Sequence, residues 1–117
     1  IGRAKKTAAQ SVLKNVVTAA NSAGQSLIET SDSISTSDGT TFETEIKEVG
    51  GNDILTGVTS IKLDPATGTV VEADYNDGTY FSHYWIADGK SNYKNTKTTA
   101  DATATDVASP VVIYSAS

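Results

Sequence analysis

From Arg3 to about residue 30, apolar side chains recur at helical spacing: Ala4, Ala8, Val12, Val16, Ala20, Ala23 and Leu27 mark one stripe, which Leu13, Val17 and Ile28 widen. The spacing predicts one long amphipathic helix. At ~1.5 Å per residue it is roughly 40 Å long, more than a small domain covers, so its N-terminal end is expected to project. Gly24, following Asn21, Ser22 and Ala23, offers an alternative stop. Residues 30–41 are rich in Ser, Thr and Asp and read as a surface loop. A short helix follows over about 41–49, where Phe42, Ile46 and Val49 share a face, Glu43 and Glu45 load the first turn, and Gly50-Gly51 ends the element.

Beyond residue 57 the period changes from helical to alternating. Val58–Leu63, Thr69–Tyr75 and Tyr80–Ile86 are separated by Asp64-Pro65-Ala66-Thr67-Gly68 and by Asn76-Asp77-Gly78, and predict an antiparallel meander. With Asp77-Gly78 as a two-residue type I′ turn, Tyr75 faces Tyr80, Ala73 faces Ser82 and Val71 faces Tyr84, on a face that Ile86 completes and the long helix covers. Val70, Glu72, Asp74, Phe81, His83 and Trp85 fall on the other, mixed face. Residues 88–109 read as a polar excursion with little to bury, and Val111–Tyr114, short and β-branched, as a fourth strand closing the sheet. The pattern predicts one α+β domain, a long N-terminal α-helix packed on a three- to four-stranded antiparallel β-sheet. Its parts are a stem, 1–30, a connection with a short helix, 31–56, the meander, 57–87, and a C-terminal loop and final strand, 88–117.

Composition thins the expected core. Of 117 residues 38% are hydrophobic, many of them alanine, so a few large side chains must carry the burial. There is no cysteine, which excludes disulfides, thiol chemistry and Cys-based metal sites. No apolar run reaches the ~20 residues of a membrane span. Charge changes the picture more. The net −5 divides into a stem whose first 28 residues carry Arg3, Lys5, Lys6 and Lys14 with no acid, and a remainder in which five bases meet fourteen acids, a balance of −9. A basic stem and an acidic body suit head-to-tail packing of copies, and the acidic body argues against nucleic-acid binding. Basic residues also crowd the positive end of the helix dipole, unfavourable by about 0.3–1 kcal/mol each, and no Ser, Thr, Asp or Asn caps Arg3. The helix is therefore expected to continue upstream of Ile1, in a longer precursor.

The order helix, loop, meander, together with the run Arg3-Ala4-Lys5-Lys6-Thr7-Ala8-Ala9-Gln10-Ser11-Val12-Leu13-Lys14-Asn15-Val16-Val17-Thr18-Ala19-Ala20, resembles the type IV pilins just after their membrane segment. The stretch is basic and alanine-rich, then Ser-x-Leu-x-Asn-aliphatic and Thr-Ala. The first 25 residues, which carry the match, are about a fifth of the chain, and the cysteine pair of many Gram-negative members is missing, which favours a Gram-positive member. The resemblance implies a structural subunit, membrane-anchored through an upstream hydrophobic helix, then polymerised by assembly machinery into an extracellular helical filament for adhesion or surface motility, with a host cell or surface as ligand. It implies subunit packing through Arg3, Ala4, Lys5, Lys6, Ala8, Val12, Lys14 and Val16. The rivals are a pseudopilin of a type II secretion or DNA-uptake system and a non-filamentous extracellular binding module.

Candidate chemistry is sparse, and no catalytic residue, cofactor or metal site is predicted. Ser82 and His83 are adjacent on a strand and point to opposite faces, so they cannot act as nucleophile and base. His83 opposite Glu72 reads as a cross-strand polar pair. Asp74, Asn76 and Asp77 before Gly78 lack the spacing and closing Glu of a calcium loop and read as turn chemistry. Secretion pseudopilins can bind calcium near the C-terminus, where Asp101 and Asp106 lie here, and the threonines at 96, 98, 99, 103 and 105 are candidate glycan acceptors. Phe81 and Trp85, two positions apart on the mixed face, form either a contact patch for a neighbouring subunit or ligand or the floor under the 88–109 excursion.

Overall fold

The computed structural model describes the backbone of residues 2–96 and 107–116 and the side chains of residues 7–95 and 107–116. Helix α1 spans Gly2–Thr30 without interruption. At about 1.5 Å per residue it matches the 45 Å long axis of the molecule. Gly24 does not end it. A Cβ at Gly24 would lie 1.9 Å from the Gly68 carbonyl oxygen, so this glycine lets the turn at 64–69 sit directly on the helix. Gln25 Nε2 donates to Thr67 O at 2.9 Å at the surface, and the part-buried Val70 amide donates to Asn21 Oδ1 at 2.8 Å, which gives that amide a partner where the turn meets the helix.

After α1, Ser35 N donates to Asp38 Oδ2 at 2.9 Å, closing a 3₁₀ turn over Thr36–Asp38. Helix α2 follows over Gly39–Gly50, two residues earlier than its apolar face announces, and Gly51 caps it at φ 96° with its amide on Lys47 O. Five strands follow: β1 Val58–Leu63, β2 Val70–Asn76, β3 Phe81–Ala87, β4 Lys90–Thr96 and β5 Val111–Ser115. They form one antiparallel sheet in the order β4-β3-β2-β1-β5.

The α+β class stands, but a three- to four-stranded sheet does not: the described residues form a five-stranded one. The extra one, β4, falls within the stretch expected to be an excursion. Its cause is the Asp88-Gly89 turn, with φ 54° and 72°, the paired positive values a type I′ hairpin requires. Ala87 then faces Lys90, and the ladder runs on to Phe81 against Thr96. The remainder of the expected excursion, 97–106, with Asp101, Asp106 and most of the candidate threonines, lies outside the described residues.

The β2–β3 register also differs from expectation. Tyr75 faces Ser82, Ala73 faces Tyr84 and Asp74 faces His83. Asp77 Oδ1 accepts from both Thr79 N and Tyr80 N, at 2.8 and 2.7 Å, and Asp77 N donates to Tyr80 O at 3.1 Å. These bonds lengthen the turn and move the pairing by two residues. A two-residue slip leaves every side chain on its expected face, so His83 stays opposite an acid, Asp74 instead of Glu72.

Leu13, Val16, Val17, Ala20, Ala23 and Leu27 of α1 close the core against Ile61, Leu63, Ala73 and Tyr84, with Phe42 and Ile46 sealing its flank from α2. Phe42 is the bulkiest of the fully buried side chains, and burying such a residue contributes about 1.5–3 kcal/mol. Register shifts between β1 and β2 at Lys62/Leu63 bring Val70 into this core, although simple alternation places it on the opposite face.

Candidate functional site

Residues Ala9, Leu13, Val16, Val17, Ala20 and Ala23 turn one side of α1 inward, and the other side is open to solvent. The exposed positions from Thr7 to Gln25 are Thr7, Ala8, Ser11, Val12, Lys14, Asn15, Thr18, Ser22 and Gln25, with Lys14 the sole charge among them. Lys14 Nζ lies 5.3 Å from the centroid of the Tyr93 ring, a cation–π distance that engages it within its own subunit. A solvent-facing helix side is ordinarily rich in charge. Apart from Lys14 and Gln25, the exposed stretch from Thr7 to Gln25 is a ridge of short, uncharged side chains.

Next to the ridge a groove of about 430 Å³ opens between α1 and the loop joining α2 to β1. Val12 and Asn15 form its helix wall; Asp53, Ile54, Thr56 and Tyr75 form the opposite side. Two glycines shape it. A Cβ at Gly57 would meet the Tyr75 ring at 2.6 Å, and one at Gly50 would meet Ile54 Cγ1 at 2.7 Å, so both side chains lie flat against backbone. Burial first, and Asp77 second, raise the Tyr75 phenol above its ordinary pKa of 10.0. Tyr93, beneath Lys14, is raised in the same direction by burial and then by Tyr84.

The stem residues expected to pack between subunits divide accordingly. Ala8 and Val12 stand on the ridge, with Val12 38% exposed, whereas Val16 is fully enclosed in the subunit's own core and offers a neighbour no side-chain surface. Lys14 is exposed but held over Tyr93. Arg3, Ala4, Lys5 and Lys6 belong to α1, and their side chains lie outside the described set.

The far face of the sheet holds a second polar group. His83 Nδ1 donates to Asp74 Oδ1 at 2.6 Å, Ser60 Oγ donates to Asp74 Oδ2 at 3.3 Å, and Lys62 Nζ bridges Glu72 Oε2 at 3.0 Å. The imidazole stacks on Trp85, centroids 5.1 Å apart and planes 17° from parallel. Asp74 stands between the serine and the histidine, so Ser60 is not poised for proton transfer to His83. Ser82 is on the helix face, where its hydroxyl donates to Asn95 Oδ1 at 2.6 Å. Phe81 and Trp85 are half-buried. The excursion expected to cover these aromatics, 88–109, is in part strand β4, which pairs edge to edge with β3 instead of folding over its face, and in part, 97–106, lies outside the described residues.

The groove was not legible in the sequence. Gly50-Gly51 reads only as a helix stop, and residues 52–57 carry no period that joins them to Val12 or Tyr75. Comparison with protein families, curated proteins and solved structures finds no match for this chain.

Proposed function

We propose that the chain is the structural subunit of a type IV pilin-type filament, anchored in a membrane before assembly and extracellular afterwards, in which α1 packs against α1 of other copies while the sheet faces outward. The observation that carries this reading is the ridge from Thr7 to Gln25, where Lys14 is the sole charge among the exposed positions. Short side chains let helices approach closely, whereas a helix face that stays in water gains nothing from losing its charges. The run from Arg3 to Ala20 that resembles the pilins includes the N-terminal part of this ridge, and the basic stem adds attraction toward acidic bodies of neighbouring copies. Adhesion or motility would then be a property of the polymer.

The test is a pair of ridge substitutions, Ser11→Arg and Thr18→Arg, in the full-length protein. Both positions are exposed, so the melting temperature of the domain is expected to stay near wild type. Filaments seen by electron microscopy should be lost. Normal filaments from the doubly substituted protein would end the proposal.

A further inference from the structure

We infer that the groove between α1 and the α2–β1 loop is the docking site for the stem of a second copy, residues 3–8, so that subunits join head to tail. The inference rests on the filament reading and adds to it a receiving surface. Three observations choose this occupant. First, the groove carries acid and no base: Asp53 lines it, and Asp77 acts on Tyr75 at its end. The segment Arg3-Ala4-Lys5-Lys6-Thr7-Ala8 carries three bases and no acid. Second, the groove wall is apolar where Val12, Ile54 and the Tyr75 ring meet, and the same segment supplies Ala4 and Ala8, side chains short enough for a helix to come close. Third, the groove is continuous with the ridge, because Val12 and Asn15 belong to both.

The donor surface and the receiving surface differ, so the contact is heterologous. Each joined pair leaves one stem and one groove free, and growth is open-ended. The glycines give the site its shape: without side chains at Gly50 and Gly57, Ile54 and Tyr75 fold back against backbone and leave the space open.

The absence of cysteine makes the contact directly measurable. Two single-cysteine variants of the full-length protein, Lys6→Cys and Asp53→Cys, are mixed under conditions of assembly and oxidised, one of them carrying a size tag. A disulfide-linked heterodimer is expected, with a yield that falls as salt is raised, because exposed charges are screened over ~10 Å at 0.1 M ionic strength. The control pair, Lys6→Cys with Asp88→Cys, places the second thiol in the β3–β4 turn at the other end of the sheet and should give none. In a parallel experiment Lys6→Glu should abolish assembly and Asp53→Lys should restore it. Equal yields from the two cysteine pairs, or no rescue by Asp53→Lys, would overturn the inference. Filaments that form without the 6–53 disulfide would remove this docking site and leave the filament reading intact; loss of filaments from the unmodified protein itself would remove both.

Discussion

At Gly24 two effects of one methyl group oppose each other. In an isolated helix, Gly→Ala stabilises by about 0.8–1 kcal/mol. Here the added Cβ would lie 1.9 Å from a backbone oxygen of Gly68, a contact no side-chain rotation relieves. Overpacking of that kind costs about 1–3 kcal/mol, and separating the turn from the helix would also strain the Asn21–Val70 and Gln25–Thr67 hydrogen bonds. Gly24→Ala is therefore expected to lower stability by at least ~1 kcal/mol, measured as a fall in the urea midpoint at unchanged slope, the reverse of what helix propensity alone gives. The tyrosines supply a second test at this scale. Both Tyr75 and Tyr93 are raised above 10.0, chiefly by burial, so the folded chain holds these phenolic protons more tightly than the unfolded chain. Their contribution to stability is fully present below pH 10 and is lost as pH rises through the raised folded values. The melting temperature should decline in that alkaline window, and Tyr75→Phe and Tyr93→Phe should each flatten the decline.

Among the elements, β4 shows most clearly what a local pattern leaves out. Strands β1 to β3 are rich in Val, Ile, Tyr, Phe and Trp, and their alternation is readable before any tertiary contact is known. Lys90-Ser91-Asn92-Tyr93-Lys94-Asn95-Thr96 has poor strand propensity, and composition assigns it to a loop. It becomes a strand because the Asp88-Gly89 hairpin delivers it to β3, where Tyr93 packs on Tyr84 at 5.0 Å and Asn95 accepts from Ser82. Composition puts Asp88-Gly89 inside the excursion and not at a hairpin turn, and the strand it delivers depends on contacts distant in sequence. The long helix was legible for the opposite reason, since its stripe repeats over seven turns' worth of residues and no single position decides it. The candidate site was less legible: spacing puts Ala8 and Val12 on one stripe with Val16 and Ala20, yet the first two are exposed and the last two buried, and the groove is assembled from α1, the α2–β1 loop and β2. If β4 depends on its turn, Gly89→Val should release it. A β-branched residue at φ 72° is strained by roughly 1–2 kcal/mol. The β4 amides that pair with β3 should then lose protection in hydrogen exchange while those between β1 and β2 keep theirs; equal loss in both would show that β4 does not open as a separate unit.

For the whole molecule, the uneven placement of charge gives assembly a direction. The bases of the first 28 residues and the acids of the remainder belong to different ends of the contact proposed for the groove, so a substitution at one end leaves the other end competent. A Lys6→Glu subunit keeps its own groove and can receive a wild-type stem, yet its stem no longer enters the groove of the next copy. Mixed with wild-type protein, it should join a growing filament through the groove and stop growth in the direction its stem would extend. Mean filament length, measured by electron microscopy, should fall steadily with the fraction of variant, well before the total mass assembled falls. An isologous contact would respond differently, because each variant then damages both partners of a pair and the mass assembled drops with the length. Raising the salt should lengthen the lag before wild-type filaments appear, since steering between basic stem and acidic body acts over about one Debye length. A lag that does not respond to salt would mean that the ridge alone drives association and that the division of charge serves only to keep the free subunit soluble.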